Sequence, residues 1–354
     1  MLSPMCQYSA DDGCASDWHL MHLGKFAVSG VGLIMIEATH VEARGRITPR
    51  CLGLYSDETE VALARVVKFC RDAGQAKIGV QLSHAGRKGS AKLPWLGRGR
   101  PLSADEGAWQ CVGASDIPFD RDWSAPLPLD AAGLKTVKQA HIDAARRCVA
   151  IGIDLIEFHV AHGYLFHEFL SPLTNRRTDQ YGGSPENRMR FPLEVFAAIR
   201  AVCPALMPIG VRVSATDHVD GGWNLEETIA FAKVLKKLGC DYINVSSGGL
   251  STQQKISVGE GYQIPLARAV RNAVQMPTTG VGMIYRPEHA EALIRDGNAD
   301  LVALGRTLLY DPHWVWYAAS VLGADTSISY PSQYIRGYKS EWLRNNRRTA
   351  EHIR

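Results

Sequence analysis

The sequence predicts an α/β protein with a single (β/α)8 TIM barrel, and two observations support this fold class. Short β-branched or apolar runs alternate with longer amphipathic segments along almost the whole chain, which is the pattern of repeated βα units. No G-x-G-x-x-G motif follows the first strand, which disfavours the alternative of an open doubly wound sheet. A length of 354 residues suits one barrel, although composition alone does not separate one large domain from two average ones.

Eight segments are the predicted barrel strands. Seven of them stand out as short apolar runs, at residues 33–37, 78–82, 154–159, 209–213, 242–246, 278–281 and 301–304. The remaining strand is predicted at residues 1–5, because the helix-like segment 18–28 then leads from it into the run at 33–37. The chain therefore begins inside its first strand, and we expect a preceding segment to be missing.

Helix starts and ends can be read between these strands. Ser184 followed by Pro185 predicts an N-cap with proline at the first helical position, and Asp311 followed by Pro312 repeats this pattern. Glycines also fall where helices are expected to end, at Gly74, Gly152, Gly239 and Gly297.

The connection after the predicted third strand is much longer than the others. Residues 86–130 show no clear periodicity, and they carry three tryptophans among prolines and glycines. This is too long for a simple βα loop, and a loop of this kind is typical of a lid over a site. The sequence leaves open whether it is such a lid or a decorative subdomain.

Composition disfavours nucleic-acid and membrane partners. The net charge is only +3, and the longest apolar run, at 31–36, is far too short to span a bilayer. The N-terminus lacks the basic and apolar regions of a signal peptide. The eight cysteines are scattered without a C-x-x-C pair, which is typical of reduced thiols. We therefore expect a soluble, cytoplasmic protein.

Glycines follow the last two predicted strands. Gly280-Val281-Gly282 ends the seventh and Gly305-Arg306 ends the eighth, where (β/α)8 barrels commonly hold a phosphate. Backbone N–H groups can approach an anion closely at glycine, and the guanidinium of Arg306 adds positive charge. These two ends together favour a phosphate-bearing ligand over simple turns.

The predicted fourth strand ends in a group of polar rings. His159 and His162 can offer two N–H donors to one oxygen, and Tyr164 adds a proton donor, which suits stabilising an enolate. A metal site is disfavoured because no carboxylate or cysteine occupies a matching strand end. Gln81 and Arg212 lie on two other strands, and inward-facing polar groups in a barrel usually contact a ligand.

Several motifs resemble the Old Yellow Enzyme family of ene reductases, in its bacterial cysteine-containing branch. They cover nearly the whole chain in family order: SPMCQY at 3–8, GRIT at 45–48, HAGRK at 84–88, HVAHGYL at 159–165, SPLTN at 171–175, RTD at 177–179, YGGSPENR at 181–188, GVGM at 280–283 and LGR at 304–306. HGYL followed by YGGSPENR is especially specific. Two departures are a missing family segment before strand one and a basic extension after Tyr338.

The resemblance implies FMN as the cofactor, with NADPH or NADH as the reductant. The residues implied to lie along the isoalloxazine are Ser3, Pro4, Met5 and Cys6, of which the cysteine would tune the potential. Those implied to contact the ring and ribityl chain are Ala38, Gln81 and Arg212. Those implied to hold the phosphate are Gly282, Gly305 and Arg306.

The resemblance also implies the catalytic roles. His159 and His162 would bind the carbonyl or nitro oxygen of an activated alkene, Tyr8 would help, and Tyr164 would deliver the proton. The expected activity is hydride transfer from NAD(P)H through the flavin to the C=C bond, with both substrates using one pocket in turn. The alternative is a flavin-binding redox sensor or carrier without significant turnover.

The C-terminal segment carries a last resemblance. Residues 333–338 read QYIRGY, which is similar to the family segment whose arginine, here Arg336, reaches a neighbouring barrel and contacts its substrate. We therefore expect residues 1–323 to form the FMN-binding barrel and residues 324–354 to contact another subunit. The expected assembly is a homodimer or homotetramer.

Overall fold

The computed structural model describes residues 1–97, 99–324, 330–334 and 336. Its strands are β1 (Leu33–His40), β2 (Lys77–Ser83), β3 (Val112–Gly113), β4 (Leu127–Pro128), β5 (Leu155–Val160), β6 (Ile209–Ser214), β7 (Tyr242–Ser246), β8 (Thr278–Val281) and β9 (Leu301–Ala303). Seven of them form one parallel sheet in the order β1-β2-β5-β6-β7-β8-β9. This is the predicted (β/α)8 barrel, and all seven apolar runs are confirmed as its strands.

The ring is closed by a single residue rather than by the full strand predicted at residues 1–5. Leu2 forms parallel bridges to Ile34 on β1 and to Leu304 just after β9. The Leu2 amide donates to Leu33 O at 2.8 Å, and the Ser3 amide donates to Leu304 O at 2.9 Å. No backbone pairing to β1 or β9 follows Ser3 in the described N-terminal segment, so the eighth position of the barrel is occupied by a very short piece of chain.

Helices lie between successive strands. They are α1 (Asp17–Ala27), α2 (Asp57–Ala73), α3 (Pro94–Gly97), α4 (Ala131–Ala150), α5 (Leu165–Leu170), α6 (Pro185–Val202), α7 (Leu225–Lys237), α8 (Ile264–Val274), α9 (Pro287–Arg295), α10 (Arg306–Tyr310) and α11 (Trp314–Val321). The amphipathic helices bury one face against the sheet, as Leu63, Val66 and Cys70 do on α2. No helix in the described ranges is both long enough and apolar enough to cross a membrane.

One predicted helix start is confirmed and the other is wrong. The Ser184 hydroxyl accepts from Asn187 N at the start of α6, with Pro185 as the first helical residue. Asp311 instead lies between α10 and α11, in an extended conformation with φ −126°. Its carboxylate accepts from His313 N at 2.9 Å, and this local turn delays the helix until Trp314.

The 86–130 segment has its own short elements and is tied to the barrel mouth. It begins with a 3-10 turn (Gly86–Lys88), contains α3, and ends near the two-residue strands β3 and β4. The Glu168 carboxylate, on α5, accepts from Arg87 N at 2.8 Å and from Ala114 N at 3.1 Å. The Trp95 ring meets the Tyr8 ring edge to face at 5.9 Å between centroids. The segment therefore lies against the carboxyl ends of the strands.

Candidate active site

The site is built around the carboxyl end of β5. Glu157 and His159 are two residues apart, so the alternation of the strand puts both side chains on the same face. His159 is buried, with 3% of its surface exposed. The chain then turns through His162, at φ 60°, and Gly163, at φ 73°, both in the left-handed region. This sharp turn brings Tyr164 back to the start of α5.

The turn places the three predicted rings in contact. The centroid of the His159 ring lies 5.2 Å from that of His162 and 5.2 Å from that of Tyr164. Both pairs are arranged edge to face, which is a favourable geometry for aromatic rings. Two imidazoles and a phenol can thus face one small ligand.

Ser246 fixes the orientation of the His162 ring. Its hydroxyl, at the end of β7, lies 2.8 Å from His162 Nε2 and 3.0 Å from Gln263 Oε1. The backbone N–H of His162 donates to Ser214 Oγ at 3.0 Å. Because Nε2 is occupied by Ser246, Nδ1 is the nitrogen of His162 that remains for a ligand. The Ser246 hydroxyl donates its one proton to Gln263 Oε1, so it accepts from His162 Nε2–H in this arrangement. Nδ1 becomes the N–H donor when that hydroxyl proton turns from Gln263 to Nε2.

Burial sets the protonation states of these groups. Desolvation, together with the positive charge of Arg212, holds the pKa of His159 and of His162 well below the usual histidine range. Desolvation raises the pKa of Tyr164 well above that of a free phenol. At neutral pH both imidazoles are therefore uncharged, with one N–H each, and the phenol keeps its proton.

Glu157 is a buried charge-bearing group that the sequence reasoning missed. Its carboxylate accepts from Gln81 Nε2 at 2.7 Å and from Asn244 Nδ2 at 2.9 Å, across the barrel interior. Burial raises its pKa, and the neighbouring Arg212 opposes that shift. Its spacing of two from His159 on a strand was the signal that could have revealed it. Gln81 is thus oriented by a carboxylate as well as available to a ligand.

A cavity of about 440 Å³ opens beside these residues. Its lining includes five of the predicted site residues, which are His162, Arg212, Gly282, Gly305 and Arg306. The volume falls within the range of about 300–1,000 Å³ that is typical of ligand pockets. The glycine-rich ends of β8 and β9 therefore meet His162 and Arg212 in one space.

The N-terminal residues form another wall of the site. A methyl group replacing a hydrogen of Gly305 would lie 3.4 Å from Met5 Sδ and 3.9 Å from Ser3 Cβ, so residues 3–5 pass close to the end of β9. Cys6 is next in the chain, and the backbone of Ala38, which follows the bulge in β1, hydrogen-bonds its thiol. Desolvation raises the pKa of Cys6 well above that of a free thiol.

Tyr8 joins Cys6 and Tyr164 in a small apolar cluster. These three partly buried side chains pack with Trp123 around buried Cys51. Tyr8 has φ 51°, so the chain turns sharply where its ring enters the site. The structure thus brings Tyr8 and Tyr164 to the same wall, as the catalytic assignment requires.

Buried polar atoms at this site fit a phosphate-bearing flavin. Arg212 Nε, His159 Nδ1 and Ser3 Oγ are buried and have no hydrogen-bond partner among the described residues. Unpaired buried polar groups are costly, so a bound ligand is expected to satisfy them. Gly282 has φ 131°, a conformation that leaves the end of β8 open to a close backbone approach. Within the described residues, no three His, Cys, Asp or Glu side chains are grouped to hold a metal.

Arg336 is not placed in the site of its own chain by any contact described. It is exposed, and most of the segment around it lies outside the described residues. Just before it, the Tyr330 ring stacks on Trp316 of α11 at 4.5 Å, and Tyr334 meets the same indole edge to face. Its predicted contact with another subunit, and with it the role of residues 324–354, stays a prediction.

The chain matches known flavin oxidoreductases along nearly its whole length. The profile of the NADH:flavin oxidoreductase / NADH oxidase family matches residues 1–323. The chain is 43% identical to an NADPH dehydrogenase of Geobacillus sp. (strain WCH70) over 341 residues, which are 96% of this chain and 94% of that protein. It is 42% identical to an NADPH dehydrogenase of Bacillus subtilis (strain 168) over 340 residues, again 96% and 94%.

Solved structures agree with the sequence matches. Morphinone reductase superposes with a TM-score of 0.75 and 26% identity, covering 94% of this chain and 88% of that one. The barrel, the FMN-family profile and the full-length relatives thus agree with the motifs. The chain belongs to the NADH:flavin oxidoreductase / NADH oxidase family, whose Old Yellow Enzyme type its motifs resemble, and it is an FMN-dependent NAD(P)H oxidoreductase.

Proposed function

We propose that the enzyme reduces the C=C bond of α,β-unsaturated carbonyl or nitro compounds. FMN, when bound, supplies the hydride exchange between the nicotinamide and the alkene. The observation that carries the proposal is the contact of His159 with both His162 and Tyr164, with ring centroids 5.2 Å apart in each pair. This arrangement can provide two N–H donors that bind one substrate oxygen and a phenol that protonates one carbon.

The histidine pair would hold the substrate oxygen. Negative charge grows on that oxygen as the β carbon is reduced, and fixed N–H donors stabilise it. His159 Nδ1 has no partner among the described residues. His162 contacts Ser246 through Nε2, so its Nδ1 remains for a ligand. Both rings are neutral at pH 7, so His159 can donate from Nδ1. His162 donates from Nδ1 once the hydroxyl proton of Ser246 turns from Gln263 to Nε2.

Tyr164 would deliver the proton to the α carbon. Burial keeps its phenol protonated across the physiological pH range, so the proton is present when the enolate forms. Tyr8 would line the substrate pocket beside it, since both rings belong to one apolar cluster. Ser3 to Cys6, Ala38, Gln81 and Arg212 would hold the flavin ring, and the residues for its phosphate would be Gly282, Gly305 and Arg306.

Anaerobic turnover tests the proposal. The purified protein, yellow with one non-covalent FMN per chain, should oxidise NADPH when cyclohexenone or a nitroalkene is added without oxygen. NADPH is the first reductant to use, because the bacterial relatives are named NADPH dehydrogenases. The product should carry a saturated C–C bond. A flavin that is reduced by NADPH but is never reoxidised by any activated alkene would instead support the sensor or carrier alternative.

A further inference from the structure

Lys88 is a polar group beside the site that has no part in the proposed chemistry. It ends the 3-10 turn that follows β2, within the HAGRK motif. Its ammonium donates to His162 O at 2.9 Å and to Gly249 O at 2.9 Å. These carbonyls belong to different loops, one after β5 and one after β7. Lys88 therefore joins two of the loops that form the barrel mouth.

The two loops that Lys88 joins are in unusually close contact. A methyl group on Gly163 would lie 2.3 Å from Gly249 O, and one on Gly249 would lie 2.5 Å from His162 Cα. His162 itself adopts φ 60°, which is unfavourable for a residue with a side chain. Such conformations persist only when the surroundings hold them. The hydrogen bond from Lys88 to the His162 carbonyl is one of the contacts that does so.

The same ammonium lies over two aromatic rings. Lys88 Nζ is 5.1 Å from the centroid of Tyr164 and 4.7 Å from that of Phe119, which belongs to the 86–130 segment. A cation over a ring face is attracted to its π electrons. That attraction grows when the phenol becomes phenolate, because the ring then carries negative charge. The position of Lys88 thus favours the state of Tyr164 that remains after it has given up its proton.

The position of Lys88 is itself well determined. Gly86 N donates to His84 Nδ1 at 3.0 Å, and Arg87 N donates to the Glu168 carboxylate at 2.8 Å. The Arg87 guanidinium donates to Leu250 O at 2.7 Å, one residue beyond Gly249. The turn that carries Lys88 is therefore fixed to β2, to α5 and to the loop after β7 before any substrate enters.

We propose that Lys88 is a positioning residue for proton delivery, which holds the His162 turn and stabilises the phenolate of Tyr164. In this step the O–H bond of Tyr164 breaks and a C–H bond forms at the α carbon of the enolate. The phenolate then regains a proton from solvent. The inference rests on the proposed alkene reduction and adds a residue to it.

Three variants test this inference. Lys88→Met keeps the length of the side chain and removes the charge, and Lys88→Arg keeps a charge. Lys92→Met is the matched control, since Lys92 lies in the same segment and pairs with Glu106 at the surface, 2.6 Å away. Each holoenzyme is first checked for one FMN per chain and for its thermal midpoint. Reduction by NADPH and reoxidation by cyclohexenone are then followed separately by anaerobic stopped-flow absorbance.

We expect Lys88→Met to slow reoxidation by the enone about 10- to 100-fold, as small misplacements of reacting groups do. Reduction by NADPH should change less than about threefold, because it needs no proton from Tyr164. Lys88→Arg should recover part of the loss, and Lys92→Met should behave as the parent. Hydrogen exchange of the amides at 247–251 should become faster in Lys88→Met alone.

A double-mutant cycle shows whether Lys88 acts through Tyr164. Lys88→Met should slow reoxidation much less in Tyr164→Phe than it does in the parent, and the effect that remains is that of the loosened His162 turn. The role of Lys88 would be overturned if the rate losses of the two single variants multiplied in full, or if Lys88→Met were reoxidised as fast as the parent. Neither result would contradict the proposed alkene reduction. A parent enzyme that no activated alkene reoxidises would instead overturn the proposed function.

Discussion

The imidazole of His159 meets the phenol of Tyr164 edge to face, with 5.2 Å between the ring centroids. One residue comes from the end of β5 and the other from the start of α5, and the left-handed pair His162-Gly163 folds the chain between them. The proposed oxygen-binding donor and the proposed proton donor are thereby set at a fixed spacing by the four residues of chain between them.

His159→Ala should slow reoxidation by cyclohexenone about 10²–10³-fold, the usual effect of losing one oxyanion donor. Reduction of the flavin by NADPH should fall much less, because no negative charge develops on a bound oxygen in that half of the cycle. Stopped-flow measurement of both halves on one preparation provides the internal control. Equal losses in the two halves would contradict an oxyanion role.

Tyr164→Phe should slow reoxidation by enones and leave reduction by NADPH nearly intact, since only the first requires a proton donor. Tyr181→Phe is a suitable control, because the Tyr181 hydroxyl contacts Glu194 on α6, 3.3 Å away and outside the site. The measurement is single-turnover absorbance with and without deuterated solvent. Unchanged enone turnover in Tyr164→Phe would mean that water or another residue supplies the proton.

The reoxidation rate should fall as pH rises through about 8, because desolvation and the charge of Arg87 lower the pKa of Lys88 to about 8. Below that pH the ammonium is charged, and above it the hydrogen bonds and the charge over Tyr164 are weakened. The other titratable groups that influence or contact it are Arg87, Glu168, His159, His162 and Tyr164. Burial raises the pKa of Glu168 to about 7, so its negative charge is already present at pH 8 and favours the ammonium.

A pH profile of the enone half-reaction checks this expectation, with Lys88→Met as the comparison. The histidines stay neutral and Tyr164 stays protonated over this range, so neither produces the decline. The variant should be slow at all pH values and should lack the alkaline limb. A parent profile that is flat between pH 6 and 10, or an identical limb in Lys88→Met, would rule out Lys88 as its source.

Gly163→Ala should lower the thermal midpoint more than Gly183→Ala does. Both glycines are left-handed, at φ 73° and 81°, so each substitution costs about 1–2 kcal/mol in backbone energy. The added methyl would strike Gly249 O in the first case and would meet nothing within 4 Å in the second. Overpacking adds about 1–3 kcal/mol for Gly163 alone. Calorimetry at one scan rate compares them, and equal shifts would show that the two loops separate easily.

Arg336→Ala should raise KM for the enone roughly tenfold, as the loss of one charge-assisted hydrogen bond to substrate does. If the arginine serves a neighbouring barrel, mixing Arg336→Ala with His159→Ala should restore activity as subunits exchange, because one site in the hybrid has both residues. Activity of the mixture is measured against time. A fully active monomer, or unchanged constants for Arg336→Ala, would remove Arg336 from the site.

Much of the fold could be predicted because buried parallel strands give a strong signal in the sequence. Most residues of the seven apolar runs are buried between helices and barrel interior, so the runs read as continuous β-branched or apolar segments. The position of the eighth strand could be predicted but its length could not, because Leu2 is the one bridged residue described among residues 1–5 and no local pattern marks a single bridge. The start of α11 was misplaced because the Asp311 side chain made a turn rather than a cap.

The site was predictable where chemistry shows in side-chain type at a strand end. His159, His162 and Tyr164 follow one strand directly, and short-range geometry was enough to bring them together. Lys88 could be seen in its motif but not given a role, because its partners are backbone carbonyls 74 and 161 residues away. Carbonyls are present at every residue, so the sequence holds no record of which ones are used.

Closure by Leu2 also bears on how the chain folds. Its partner Leu304 lies at the opposite end of the barrel sequence, so this contact closes nearly the largest loop that the domain contains. Contacts of such long range form late and slowly. During synthesis, Leu2 cannot pair with Leu304 until almost the whole barrel has been made. The residues that follow Leu2 are also proposed to contact the flavin, and so is Gly305, which follows its bridge partner Leu304. We therefore expect cofactor binding and completion of the ring to be coupled, so free FMN should act as a folding ligand whose concentration shifts the population of closed barrels.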